Sequence, residues 1–172
     1  MKLLHYTLEI KWALLFNLVF LLWMLGEKGA GLHDVHIEWH PILTNLFAIP
    51  AIAMYVLGLA NFKNDLSFNR LSFLQGFLFG LRTTLLITLL SPLMQWIVSE
   101  IITPDFFNNA IHYTVQHGMK TQLEAEQYFN LKSYLLMSVI GNLIMGIFVS
   151  AMVAAGFSLC RSSKSTSNAK RI

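Results

Sequence analysis

The chain has 172 residues, of which 55% are hydrophobic and 12% are charged, and its formal net charge is +3. Soluble domains carry about 25% charged residues, so this chain has too few charges to cover a water-facing surface. The composition therefore excludes an ordinary soluble domain and indicates a membrane protein of one domain. The single cysteine, Cys160, excludes an intramolecular disulfide and a zinc site built from several cysteines of one chain.

Four segments are long and apolar enough to cross a bilayer, which takes about 20 helical residues for about 30 Å of hydrocarbon. They cover residues 8–26, 41–62, 76–101 and 132–160. These segments lack the alternation and turn signals of barrel strands, so we expect helices. We place residues 71–75 in the interface, and we expect Pro92 to kink the third helix. The predicted fold class is all-α: a single-domain, integral membrane, antiparallel four-helix bundle over residues 1–160.

The basic residues predict the orientation of the chain, because lysine and arginine stay on the cytoplasmic side. Nine of them fall before the first segment's core, around the second connection or in the tail, and three fall in the other connections. Both termini are therefore predicted to be cytoplasmic, with residues 161–172 as a basic, disordered tail that contacts anionic lipid. Four basic residues in this tail are too few to indicate nucleic-acid binding.

Because no small-x-small cleavage site precedes Glu27, we expect the first segment to be a retained helix rather than a signal peptide.

The connection between the third and fourth segments carries helix signals of its own. Thr103 and Pro104 suit the N-cap and the first position of a helix, and Gly118 suits its end. Thr121 and Glu124 have the spacing of a capping box. We therefore expect a short extracytoplasmic helical hairpin whose second helix continues into the fourth segment.

Three histidines lie in the first extracytoplasmic connection, within the stretch HDVHIEWHP. As candidate ligands of a divalent metal ion we take His33, His36 and His40. In a helix the three side chains would lie within an arc of about 60°, and the i, i+4 spacing of the last two suits zinc. Asp34 and Glu38 could accept hydrogen bonds from the ligands. The alternative is a polar turn, because Pro41 disfavours helical geometry at the preceding residue, and both interpretations remain open.

Residues inside the predicted spans bear on how the helices pack. Arg82 lies about six residues from the cytoplasmic edge of the third segment, where it can snorkel to the headgroups or form a structural ion pair. A substrate or ion-binding role is the alternative, because a charge within a span is a candidate functional residue. Small residues at the spacing that allows close approach of helix backbones, in one chain or in a dimer, are Gly76, Gly80, Gly146, Ser150 and Ala154.

Several stretches, taken together, resemble a known family. They are LEIKWALLF, WMLGEKGAGLH, HPILTNLFAIPA, QGF, SPLMQWI, ITPDFFNNAI and EAEQYFNLKSY, and they extend over residues 8–157. The set is similar to the bacterial four-helix membrane family known as domain of unknown function 4199. This resemblance implies a multi-pass protein of the bacterial inner (cytoplasmic) membrane. It implies no activity, cofactor or site residue.

Three functions are compatible with these features. The one that the sequence favours is a non-enzymatic protein that assembles with itself or with another membrane protein and needs no cofactor. It is favoured because the chain has no phosphate-binding glycine loop, HExxH motif or nucleophile elbow. The second is binding or transport of a metal ion or small solute at the histidine- and acid-rich outer face. The third is an integral-membrane enzyme, which requires His40 to lie near the corner formed by Glu100 and Asp105.

Overall fold

The computed structural model describes the backbone of residues 3–65 and 71–169 and the side chains of residues 7–65 and 71–159. Within these ranges the chain is helical, without β-strands, so the predicted all-α fold is confirmed. The long helices are α1 (Leu3–Gly29), α3 (Ala48–Asp65), α4 (Phe73–Ile97) and α7 (Leu131–Ala169). The short helices are α2 (His40–Leu43), α5 (Phe106–Gln116) and α6 (Gln122–Tyr128).

Four helical segments are long and apolar enough to span a membrane. They are Thr7–Gly29, Ile37–Asp65, Phe73–Ile102 and Leu131–Leu159. The second begins earlier than predicted because α2 and two 3-10 turns, Ile37–Trp39 and Thr44–Phe47, lead into α3 without a break. Helix α7 remains helical through Ala169, whereas a disordered tail was expected from residue 161 onward.

The start of α4 is fixed by its cap, which explains why it begins before residue 76. The hydroxyl of Ser72 accepts a hydrogen bond from the Gln75 backbone N–H, and the Gln75 side chain accepts one from Ser72 N–H. This capping box satisfies two backbone donors that a helix start leaves free. Residues that were expected to lie in the interface therefore form the first turn of the helix.

Pro92 lies inside α4, which remains helical on both sides of it. Proline has no N–H for the carbonyl four residues earlier, which is that of Thr88. The hydroxyl of Ser91 donates to this carbonyl at 2.9 Å and replaces the missing bond. The irregular turn comes later, as a π-helix over Val98–Ile102. Thr103 caps this π-helix, because its backbone N–H and its hydroxyl both donate to the Val98 carbonyl.

Helix α4 is the centre of the bundle, packing against α1, α3 and, over its whole length, α7. The small residues of α4 and α7 face each other. A β-carbon on Gly80 would lie 2.7 Å from Ser150 Cβ, and one on Gly146 would overlap the Thr84 side chain. The hydroxyl of Tyr55 on α3 lies 2.7 Å from Thr84 Oγ1 and ties a third helix to this contact. The predicted close packing is thus made within one chain.

Helix α1 presents one buried stripe to its neighbours, and a carboxylate lies at each end of it. Glu9 is fully buried and Glu27 is 4% exposed. The two are 18 residues apart, which is about five helical turns, so they lie on the same face. Glu9 Oε1 accepts from Arg82 Nη1 at 3.4 Å, which identifies the structural ion pair considered for that arginine.

The predicted helical hairpin is present at one end of the bundle, with two differences. Helix α5 begins at Phe106 instead of residue 104, because the π-helix ends only at Ile102. Helix α6 ends at Tyr128, and residues 129–130 separate it from α7, so it does not run into the fourth span. We call this end, formed by residues 30–47 and 103–130, the cap end.

The hairpin's own turn signals are confirmed. Gly118 ends α5 with a positive φ of 64°, a conformation that favours glycine. Thr121 and Glu124 form the predicted capping box at the start of α6. Hydrogen bonds from the Thr121 backbone and hydroxyl stabilise the carboxylate and lower the pKa of Glu124.

Candidate metal centre

A tight turn after α1 folds the first connection back over the helix end. The turn depends on Gly31, whose φ of +74° favours glycine and whose β-carbon would lie 2.7 Å from Val35 Cγ2. Leu32 N–H donates to the Glu27 carbonyl at 3.0 Å, which closes the turn on α1. As a result His33, the next residue, is directed inward and is only 5% exposed.

Three side chains converge beneath this turn. Glu27 Oε2 lies 3.3 Å from His33 Nε2 and 3.8 Å from His40 Nε2. One ligand atom from each residue lies within 4.8 Å of the others. The His33 and Glu27 side chains are 6% and 3% exposed, and that of His40 is 17% exposed. We call Glu27, His33 and His40 the His–Glu cluster.

Side chains of α1 and of the first connection hold the Glu27 carboxylate by hydrogen bonds. Trp23 Nε1 donates to Glu27 Oε1 at 2.5 Å, and the Thr44 hydroxyl also hydrogen-bonds to this carboxylate. Glu27 Oε2 and both ring nitrogens of His33 are buried and make no hydrogen bond of regular geometry, although Oε2 lies within ion-pair distance of His33 Nε2. Leaving buried polar atoms unpaired costs about 1–3 kcal/mol each. The cluster therefore presents ligand atoms whose partners within the protein are mainly one another.

Aromatic and amide side chains from α5 close the cluster on its other side. The Phe106 ring lies 5.3 Å from the His33 ring and 4.9 Å from the His40 ring, between centroids. Asn109 Nδ2 donates to the His33 carbonyl at 3.0 Å. The cluster is thus enclosed by α1, the first connection and the hairpin, and water has little access to it.

The structure brings together two of the three predicted ligands. His33 and His40 belong to the cluster, whereas His36 is exposed and outside it. The reason is that residues 33–40 do not form one helix: turns run to residue 36, followed by the Ile37–Trp39 3-10 helix. The i, i+4 relation therefore does not apply, and histidines seven residues apart meet instead.

The acidic residues near the histidines also differ from expectation. Asp34 and Glu38 are exposed, and Asp34 Oδ1 accepts from the neighbouring Val35 N–H at 2.5 Å instead of orienting an imidazole. The carboxylate at the cluster is Glu27, which the sequence analysis did not select. The sequence did contain one indication of its role: Glu27 lies on the same face of α1 as Glu9. A carboxylate on a buried helix face is expected to have a partner.

The enzymatic alternative depended on His40 lying near Glu100 and Asp105. Among the described residues His40 makes its ion pair with Glu27, and no ion pair joins it to Glu100 or Asp105. Glu100 and Asp105 are exposed.

Two imidazole nitrogens and one carboxylate oxygen form a ligand set that zinc accepts, with a fourth position left for water or another ligand. Ligand atoms about 2.1 Å from a tetrahedral zinc ion lie about 3.4 Å apart. The His33–Glu27 distance of 3.3 Å matches this spacing, whereas the three ligand atoms together lie within 4.8 Å, so binding would draw the imidazoles closer to each other. The residues present therefore fit a zinc ion.

These features define a helical membrane protein with four apolar spans and a buried His–Glu cluster at the cap end. The chain belongs to the family described as "Protein of unknown function (DUF4199)", which it matches over residues 11–158. The matched region includes the whole cluster, and the resemblance noted in the sequence is confirmed. No curated protein and no solved structure matches the chain significantly.

Proposed function

We propose that this membrane protein binds a divalent transition-metal ion, best fitted by zinc, through Glu27, His33 and His40. One observation carries the proposal: a carboxylate oxygen of Glu27 and ring nitrogens of His33 and His40 converge to within 4.8 Å of one another, and those of Glu27 and His33 are buried without a hydrogen bond of regular geometry. A polar turn would leave such groups in water or paired with the backbone. A bound cation would satisfy the carboxylate oxygen and one nitrogen of each imidazole together.

The ligand set also indicates which ions the cluster selects. Imidazole nitrogen suits zinc, copper, iron and nickel, whereas calcium and magnesium require mostly oxygen ligands. The cluster has two nitrogen ligands and one carboxylate oxygen. Zinc should therefore bind far more tightly than calcium or magnesium.

Zinc binding can be tested by the thermal stability of the purified protein in detergent. An ion bound only by the native state stabilises it by about 2.7 kcal/mol at a hundredfold excess over its dissociation constant. We expect micromolar zinc to raise the melting temperature of the wild type, and His33→Ala or Glu27→Gln to remove this shift. His36→Ala is the matched control, because it removes a nearby exposed histidine and should leave the shift unchanged.

Two results would contradict metal binding at the cluster. One is a wild-type melting curve that does not respond to zinc. The other is a zinc shift that His36→Ala abolishes as fully as His33→Ala, because this would indicate binding to surface histidines. Equal shifts with calcium and magnesium would refute the proposed selectivity.

Assembly with a second copy of the chain is the second candidate function. Helix α7 leaves a row of large apolar side chains uncovered at four-residue spacing, namely Leu136, Ile140, Ile144, Phe148 and Met152. Either lipid or a second helix can cover such a row. If the chain assembles through α7, crosslinking in native membranes at endogenous levels yields a dimer that Ile144→Trp weakens. Recovery of monomer alone would refute this candidate.

A further inference from the structure

A largely apolar chamber lies between α1, α3 and α7, and Thr44, which hydrogen-bonds to Glu27, lines its end nearest the His–Glu cluster. Its volume is about 240 Å³, and the side chains that enclose it include Phe16, Phe47, Ala51, Met145 and Val149. The amide of Asn142 also lines it. Helices α3 and α7 make far fewer contacts with each other than α4 and α7 do, which leaves this space open between them.

A second, smaller chamber continues from the first towards α4. Its volume is about 120 Å³, and it shares Phe16, Phe47 and Asn142 with the larger one. Its remaining lining is more polar, with Asn17 from α1 and Ser91, Gln95 and Ser138 from α4 and α7. Phe20, Ile87 and Met94 complete this lining, so the smaller chamber is mixed and the larger one is mainly apolar, and Asn142 lines both.

The junction lies inside the membrane-spanning part of the bundle. Asn142 is 11 residues beyond Leu131, the first residue of the fourth span, which corresponds to a depth of roughly 16 Å along α7. At this depth the space between α3 and α7 faces hydrocarbon rather than water. A molecule that enters the larger chamber must therefore be dissolved in the bilayer.

The polar groups at the junction indicate the chemistry of such a molecule. Asn17 Nδ2 donates to the Ala13 carbonyl at 2.8 Å, and Gln95 Nε2 donates to Ser99 Oγ at 3.1 Å. The Asn142 amide makes no hydrogen bond to any described residue, although a polar group within hydrocarbon requires a partner. No charged residue lines either chamber. The missing partner is therefore a neutral hydrogen-bonding group.

We propose that the two chambers form one binding site for an uncharged membrane amphiphile. Its hydrocarbon body occupies the larger chamber, and its hydroxyl or carbonyl head hydrogen-bonds to the Asn142 amide. An ionised head is disfavoured because neither chamber supplies an opposite charge, and burying an unpaired ion is costly. None of the three cluster residues lines this site, and the variants that test it leave Thr44, the residue shared with the cluster, unchanged.

The experiment uses the full chain in phosphatidylcholine nanodiscs with two photoreactive probes. Both carry a diazirine on the same long hydrocarbon tail; one has a hydroxyl head and the other a carboxylate that is ionised at the working pH. After irradiation, mass spectrometry maps the labelled peptides. We expect the alcohol to label residues 141–149 at least about tenfold more than the carboxylate, the effect of roughly one well-placed hydrogen bond and one unfavourable charge.

Three variants separate this site from ordinary lipid contact. Asn142→Leu should reduce alcohol labelling about tenfold by removing the hydrogen bond while keeping an apolar wall. Ala51→Phe should reduce it by filling the larger chamber. Met137→Leu, at an exposed position of the same helix outside both chambers, is the matched control and should leave labelling unchanged.

Two results would overturn the proposal: equal labelling by both probes, or alcohol labelling that Asn142→Leu leaves unchanged while the variant retains its wild-type melting temperature. A zinc response without selective labelling would refute this site and leave the His–Glu cluster intact.

Discussion

Two buried carboxylates on α1 receive different partners at the two ends of the helix. Their separation of 18 residues corresponds to about 27 Å, close to the thickness of the hydrocarbon layer, so each lies near a membrane boundary. Glu9 is paired with a guanidinium that stays positive at any physiological pH. Glu27 faces two imidazoles, which can release their protons and bind a metal. Glutamate thus forms a structural ion pair at one end of α1 and belongs to a candidate metal-ligand set at the other.

The Glu9–Arg82 pair predicts unequal effects for its two partners. Glu9 is fully buried, whereas the Arg82 side chain is 45% exposed and can turn towards the headgroups. Arg82→Met should therefore lower the free energy of unfolding by about 3 kcal/mol, because it leaves a buried carboxylate without its counter-charge. Glu9→Gln should cost clearly less. Denaturant unfolding of the detergent-solubilised variants measures both values.

The double variant Glu9→Gln/Arg82→Met is the control for this comparison. If the two residues act as a pair, the double variant is more stable than Arg82→Met alone, because the unpaired buried charge is gone. Strictly additive losses, or a larger loss for Glu9→Gln, would show that the ion pair does not determine the cost.

At the scale of whole elements, the apolar runs alone could predict four helices, because length and hydrophobicity decide which segments span a bilayer. The ends of the helices depend on contacts that are less visible in sequence. The π-helix at Val98–Ile102 delays the start of α5, and residues 129–130 interrupt the path from α6 to α7. The small residues predicted close packing, but only the structure shows that α4 and α7 are partners within one chain.

The candidate site could be predicted only in part, because it depends on a turn. A helical projection of residues 33–40 groups three histidines, whereas the turn at Gly31 buries His33 and leaves His36 exposed. Glu27 precedes this stretch and belongs to α1, so a local motif cannot include it. Glu27 shares a face of α1 with Glu9, 18 residues away. This relation indicates a buried site only once that face of α1 is known to be buried.

At the scale of the whole molecule, the two ends of the bundle differ in chemistry. The cap end carries the His–Glu cluster and the helical hairpin. The opposite end carries the Glu9–Arg82 pair, and the sequence predicts that nine of the twelve lysines and arginines fall on that side. Because basic residues remain cytoplasmic, we infer that the cap end faces away from the cytoplasm. The proposed metal ion would then be taken up from the external side of the membrane.

The single cysteine makes this orientation directly testable. Cys160 follows the fourth span, which ends at Leu159, so it is predicted to lie on the cytoplasmic side. In cells of a bacterial host, a membrane-impermeant maleimide should modify it only after the membrane is opened. In the Cys160→Ser/Met119→Cys variant the thiol lies between α5 and α6, at a position where the native side chain is 61% exposed, and it should react in intact cells. The reverse pattern would place the His–Glu cluster in the cytoplasm, where it would draw on the cell's internal metal pool.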